Sequence, residues 1–276
     1  MKKSPFDTPI ARWLIPIAGV VVLAGWLYFA PPGILGKADA VGYAVCHRIS
    51  ERSFHIGGRQ LPLCARCTGT FTAAFVGLVF QFFVSRKKAG MPPLKITLPL
   101  LLFAAAWFVD GSNSYLYLIK TVHPGAFPQI PNLYIPNNTL RLLTGSGMGL
   151  GMSAALYPAF NQSVWRNLDM RPALGSWKEF LLLLGIMSII DAAILTESPL
   201  VLYPIAYIGP IGVLMLLTLI YTVFWVMLTR QENAFETWRG LWLPLTAGFT
   251  FAMLMILGID VLRFSATGTW SGFTIG

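Results

Sequence analysis

Repeated apolar runs of roughly 20 residues, set apart by short polar or proline-rich stretches, decide what this chain can fold into. A hydrocarbon layer about 30 Å thick is crossed by about 20 helical residues, and backbone groups facing lipid must be satisfied within their own segment. The runs therefore read as transmembrane helices, and the period-two alternation of an outer-membrane barrel is absent. Composition agrees, with 55% of the 276 residues hydrophobic and only 11% charged. The expected fold class is all-α: a polytopic integral membrane helix bundle of about seven transmembrane helices, forming a single transmembrane domain over 1–276. The spans are read at 13–30, 67–84, 96–110, 140–160, 180–195, 205–228 and 241–264.

Charge orders these spans across the membrane. The Lys2-Lys3 start and the connections carrying Arg86-Lys87-Lys88, Arg166 to Lys178 and Arg230 to Arg239 are basic. The positive-inside bias puts them, and the amino terminus, in the cytoplasm of a prokaryotic inner membrane, with the carboxyl terminus outside. Most of the net charge of +9 is then topological signal and attraction to anionic membrane lipids, with no nucleic-acid partner required. Lys2-Lys3, the first apolar run and Ala38-Asp39-Ala40 imitate a cleavable signal, but the run is long for one and is read as a retained span. The segments 31–66 and 111–139 are expected outside, the second as a broken cap rich in proline and tyrosine that roofs the outer face.

All three cysteines fall within twenty-two residues at the outer side, as Cys46-His47 and then Cys64-Ala65-Arg66-Cys67. Two thiols at Cx2C spacing can grip one ion from a single turn, and a distant Cys-His pair can complete a tetrahedral shell. Cys46, His47, Cys64 and Cys67 are thus the expected metal ligands, with His55 able to replace His47 because adjacent residues share an ion only through a tight backbone. Zinc suits thiolates and imidazole, and iron suits them less well. The same thiols could instead hold a disulfide. Covalent haem is disfavoured because Thr68 follows Cys67 where that attachment wants histidine.

The topology also gathers the remaining polar residues at the outer side. Asp110, Asp191 and Asp260 lie late in their spans, and Asn137, Asn138 and Arg141 begin another. A charge within a span costs about 2.5–3.5 kcal/mol on insertion scales, so it faces a partner or a wet cavity. Several at one depth imply a shared polar chamber. Its bland reading is structural pairing, Asp110 with Arg141 and Asp260 with Arg263. Its functional reading makes Asp110, Asn113, Asp191 and Asp260 the candidate catalytic groups and Arg48, Arg52, Arg66, Asn138 and Arg141 the binders of an anion. Small residues at four-residue spacing, Gly69, Ala73 and Gly77 with Gly145, Gly149 or Gly147, Gly151, suggest closely packed helix faces.

The run Cys46-His47-Arg48-Ile49-Ser50-Glu51-Arg52-Ser53-Phe54, then Gln60 through Gly69, resembles the signature of uncharacterised prokaryotic membrane proteins grouped as domain of unknown function 2085. Asp110-Gly111 and Asn137 through Gly145 look like that family's second block, so the resemblance covers about 46–151. It implies that these Cys, His, Arg, Asp and Asn residues belong to one site, and it names no reaction. Glycine-rich phosphate loops, Gly-x-Ser-x-Gly elbows and His-Glu-x-x-His helices are absent.

Three functions fit. The first is a metalloprotein that binds or processes an anionic lipid or lipid-linked substrate at the extracytoplasmic face. The second is a transporter, or a non-catalytic subunit of a membrane complex, clipped by structural zinc. The third is a quinone-linked thiol oxidoreductase, for which a helix-start CxxC is suited but a fourth thiol is missing.

Overall fold

The computed structural model describes residues 9–272, so Lys2 and Lys3 and the last four residues lie outside the described residues. Eight α-helices account for most of these: α1 (Pro9–Phe29), α2 (Ile34–Val45), α3 (Ala65–Ser85), α4 (Leu94–Val122), α5 (Asn138–Val164), α6 (Trp177–Leu195), α7 (Pro199–Leu228) and α8 (Trp242–Thr267). Each of the seven apolar runs lies within or largely within one of the seven long helices. Five stretches, Arg12–Phe29, Ala65–Ser85, Leu94–Val122, Pro199–Leu228 and Trp238–Thr267, are long and apolar enough to cross a membrane. The chain is an all-α membrane helix bundle.

α5 and α6 fall short of that apolarity for different reasons. α6 carries Lys178, Glu179 and Asp191 within 19 residues. α5 is rich in glycine and serine because it is an interior helix, with Leu142, Gly145, Gly149, Ser153 and Asn161 all buried. It lies closest to α3: a Cβ on Gly69 would overlap the Leu142 carbonyl oxygen, and one on Gly145 would overlap that of Arg66. Gly149 meets the Thr70 carbonyl in the same way, while Gly147 packs on Phe103 of α4. Missing side chains thus let two backbones touch, as small-residue spacing promises in lipid.

The largest departures from the sequence reading lie in α4, in α7 and within 31–66. α4 runs past Asp110 to Val122, ending where His123 precedes Pro124, because loss of apolarity at Asp110 is not loss of helix. The connection to α5 is therefore 123–137. α7 starts at Pro199, six residues earlier than expected, since proline is accommodated in a first helical turn. Within 31–66, α2 is followed by a short 3-10 turn, Ser50–Arg52, and a two-stranded antiparallel hairpin, β1 (His55–Ile56) with β2 (Arg59–Gln60). α2 buries Ala38, Ala40, Val41 and Tyr43, and a Cβ on its Gly42 would overlap the Pro62 carbonyl.

The seven long helices alternate in direction, with α2 kept at one end, so the bundle has two distinct ends. At one, Phe54, Ile56 and Leu61 of the hairpin region pack with Leu142, Ile194, Leu202 and Ala206. At the other, β3 (Lys88–Gly90) pairs in parallel with β4 (Asp169–Pro172), and the Trp165 backbone bridges to Phe235. The cysteines lie at the first end and the basic connections at the second.

Candidate metal centre and arginine cluster

Cys46 follows the last residue of α2, and Cys64 caps α3 with Cys67 in its first turn. The thiols of Cys46 and Cys64 and the His47 ring offer ligand atoms within 4.8 Å of one another. The loop between Cys46 and Ile49 is tight: Arg48 adopts a left-handed φ of 52°. That turn aims the Arg48 N–H at Cys46 Sγ, 3.4 Å away, and the Cys64 N–H donates to the same sulfur at 3.3 Å. Arg263 of α8 braces the loop from beneath by donating to the carbonyl oxygens of Tyr43, Cys46 and His47, its guanidinium 4.0 Å from the centre of the Tyr43 ring.

The thiols are free and share protons unequally. Hydrogen bonds from the Cys64 and Cys67 thiols hold Cys46 well below the ordinary thiol value, against the effect of burial. Cys64 is pushed up to about 12, chiefly by its hydrogen bond with Cys46. One sulfur is thus prepared as a thiolate with two more in contact, and the start of α3 adds the positive end of its dipole. Burial lowers the His47 pKa, and Arg52, Arg66 and Arg141 lower it further, while Cys46 opposes them. The ring is therefore neutral, the form that ligates metals.

The donor set fits a thiolate-binding ion, with one adjustment at the histidine. His47 Nδ1 accepts the Ile49 N–H at 3.0 Å, which leaves the proton on Nε2. Ligation through either nitrogen requires that hydrogen bond or that proton to be exchanged, whereas the three sulfurs need only release protons. His55 is engaged elsewhere, its Nε2 3.0 Å from Ser50 Oγ.

Beside this group three arginines converge. Arg66, in the first turn of α3, pairs with Asp110 of α4 and donates to Ser114 Oγ at 3.1 Å. Arg52 donates to the Ser114 carbonyl at 3.2 Å, and Arg141 of α5 to Asn138 Oδ1 at 2.9 Å. Asp110 also accepts Tyr134 OH at 2.7 Å and Thr144 Oγ1 at 3.4 Å. Among the described residues it is the carboxylate in ion-pair contact with this cluster; Glu51 is exposed and acts on Arg52 without an ion pair. Nε of Arg66 and of Arg141 is buried without a hydrogen-bond partner. Burial and the neighbouring Arg66 pull the Arg52 pKa below the usual guanidinium range.

Residues 46–155 match the family described as "Predicted membrane protein (DUF2085)". Over 109 residues the chain is 32% identical to an uncharacterised protein of Methanothermobacter thermautotrophicus, covering 40% of this chain and 81% of the relative. The chain belongs to the DUF2085 family. A second uncharacterised relative, from Methanocaldococcus jannaschii, is 28% identical over 127 residues, 46% of this chain and 70% of that one. No solved structure matches this DUF2085 protein. The matched region contains the Cys-His loop and α3, α4 and the first two-thirds of α5, the elements that supply every residue of the metal group and the arginine cluster.

The structure joins Cys46, His47 and Cys64 in one group, with the Cys67 thiol in contact with the other two sulfurs, and Arg52, Arg66, Asp110, Asn138 and Arg141 in its neighbour. Asn113 pins the 123–137 connection, accepting the Leu133 N–H at 2.9 Å and donating to the Tyr134 carbonyl at 3.0 Å. The expected pairing of Asp110 with Arg141 is corrected, since Asp110 pairs with Arg66. Arg48 turns elsewhere, to Asp39 at 2.9 Å and the Trp270 carbonyl at 3.2 Å. Asp191 accepts from Ser146 Oγ at 2.8 Å and Asp260 from the Trp26 indole at 3.0 Å. Sequence reasoning missed the part Ser114 and Thr144 play, while Tyr134 belongs to the expected roof and reaches Asp110 from it. Ser114 stands one helical turn beyond Asp110 and becomes legible once α4 is continued.

Proposed function

We propose that this protein is a seven-span protein of a prokaryotic cytoplasmic membrane that holds zinc at Cys46, His47, Cys64 and Cys67. Beside the zinc, Arg52, Arg66 and Arg141 bind the anionic headgroup of a lipid or lipid-linked substrate. The carrying observation is the charge of the cluster: three guanidinium groups, two with buried unpartnered Nε atoms, meet one carboxylate in ion-pair contact. Buried excess cation is costly unless an anion joins it, and planar guanidinium groups match the paired oxygens of phosphate or carboxylate. The basic residues Arg86, Lys87, Lys88, Arg166, Arg171 and Arg230 at the opposite end support a cytoplasmic orientation for that end, with the amino terminus inside and the site outside.

Zinc suits the donor set, and when bound it would supply structural closure of the outer loop or, with an open position, Lewis acidity toward water. The chain's own residues have separate tasks in this reading. Arg52 and Arg66, which meet at Ser114, grip the anion; Asp110, engaged through both oxygens, is the resident carboxylate with which that anion competes for Arg66; Tyr134 closes the 123–137 connection over the pair.

Elemental analysis of the gently purified full-length protein, with a thiol count before and after chelation, tests the metal. About one zinc per chain is expected, with thiols titrating only after chelation. A metal-free protein with a disulfide between two of the cysteines would overturn the zinc assignment and favour thiol exchange. The anion site is tested with inorganic phosphate: Arg52→Gln and Arg141→Gln should each weaken its binding while leaving metal content unchanged. Unaltered phosphate binding would reduce the metal to a clip.

A further inference from the structure

At the end remote from the cysteines, the last turn of α3, the β3–β4 ladder and Trp238 enclose a cavity of about 620 Å³. Backbone pairing and close contacts build its framework. Lys88 pairs with Asp169 and Gly90 with Pro172 in a parallel register, and a Cβ on Gly90 would overlap the Met170 carbonyl. Buried side chains of α5 fix the turn that follows α3: Tyr157 OH donates to the Arg86 carbonyl and Asn161 Nδ2 to that of Lys88 at 2.8 Å. Arg86 is held at a left-handed φ of 48°.

The lining is amphipathic. Arg86, Lys87, Lys88 and Arg171 face it together with one carboxylate, Asp169, which Arg171 already chelates at 2.9 and 2.7 Å. Lys87 lies 4.0 Å from the centre of the Trp165 ring, so its position is fixed. Among the described residues Arg86 and Lys88 form no ion pair. The opposite wall is Phe82, Phe83 and Val84, which are exposed on the face a span turns to lipid. Basic residues that served only as a topological signal would need no cavity. Here they border one whose volume falls in the range of ligand sites and which opens beside an aromatic surface at the membrane boundary.

We infer that this cavity binds the phosphate of an anionic phospholipid from the leaflet at that end, with acyl chain laid along Phe82 and Phe83. Arg86 and Lys88 supply the charge that Asp169 does not neutralise, which favours phosphatidylglycerol over a zwitterionic lipid of equal chain length. The site is independent of the arginine cluster, some helix length away on the same chain.

The test is labelling of the full-length protein in mixed bilayers by photoactivatable phosphatidylglycerol, with mapping of the labelled residues. Labels are expected at 82–88 and Trp238, competed by phosphatidylglycerol and not by phosphatidylcholine. Lys88→Gln with Arg171→Gln, both at the surface, should reduce them about tenfold or more, since each cation near the headgroup contributes separately. Asp169→Asn, which frees Arg171, should raise them, and Arg141→Gln should leave them unchanged. Equal labelling by photoactivatable phosphatidylcholine, or labelling indifferent to the Lys88 and Arg171 changes, would overturn the proposal. Loss of these labels in Arg141→Gln would also overturn it, by moving the lipid to the outer cluster.

Discussion

Replacing Asp110 by Asn separates a charge-pairing role from the proton-transfer role that the sequence suggested. Asp110 is 2% exposed and its partner Arg66 15%, so water screens the pair little. Removing one member of such a buried pair costs about 3–5 kcal/mol, because the other charge is left uncompensated. Asparagine keeps an acceptor oxygen for Tyr134 or Arg66, which puts the expected loss at the lower edge, about 3 kcal/mol. Arg52 and Arg141 press in the same direction, since the substitution leaves three cations with no carboxylate in ion-pair contact. Anion binding should move oppositely to stability: without Asp110 competing for Arg66, inorganic phosphate binds several-fold more tightly.

Equilibrium unfolding in mixed micelles, followed by tryptophan fluorescence, measures the first effect. A double-mutant cycle with Arg66→Gln isolates the pair, with a coupling of at least about 1 kcal/mol expected for residues in direct contact. A loss below about 1 kcal/mol with no coupling would refute the buried-pair account. Weaker phosphate binding in Asp110→Asn would refute the view that carboxylate and ligand compete for the same guanidinium. Metal stoichiometry at saturating zinc should not change in either variant, since neither residue supplies a ligand.

Two further outcomes test the surroundings of that pair. Burial, helped by the hydrogen bond to Asp110, pushes Tyr134 up to about 12. A raised folded value means that the Tyr134 tether is intact below the ordinary phenol value of about 10 and is lost as pH climbs through about 12. The difference between tyrosinate absorbance titrations of the wild type and Tyr134→Phe should therefore show a midpoint near 12; a midpoint near 10 would exclude the tether. Gly145→Val should destabilise by about 1–3 kcal/mol, because its Cβ meets the Arg66 carbonyl and α3 must part from α5. Gly185→Ala, with nothing within 4 Å of its Cβ, should be neutral or slightly stabilising, and equal behaviour of the two would contradict the close approach.

Long apolar runs made the helices legible, since lipid leaves the backbone few alternatives. The interior helix was legible in another way, from Gly145 and Gly149 rather than from apolarity, because a helix surrounded by protein needs small contact residues more than oily ones. What composition concealed were helices that leave the apolar layer. Asp110 looked like the end of a span, yet α4 continues for twelve residues to Val122 and carries Asn113 and Ser114 with it. α2 was invisible for the same reason, being short and defined by tertiary burial of Ala40 and Tyr43. The metal group was readable because Cys-His and CxxC spacing is a local property. Pairing partners were not: Asp110 lies near both Arg66 and Arg141, and only the crossing of α3, α4 and α5 selects Arg66.

That crossing also explains why the two charge systems adjoin. The glycine contacts that bring α3 against α5 put both helix starts, and hence Arg66 and Arg141, within reach of each other and of α4. Cys64 and Cys67 sit in the same first turn of α3 as Arg66, so any group that draws the thiolates together fixes Arg66 as well. Metal removal should therefore weaken more than the Cys46 loop: by freeing the first turn of α3 it should loosen the Arg66–Asp110 pair, coupling the two sites through that shared turn.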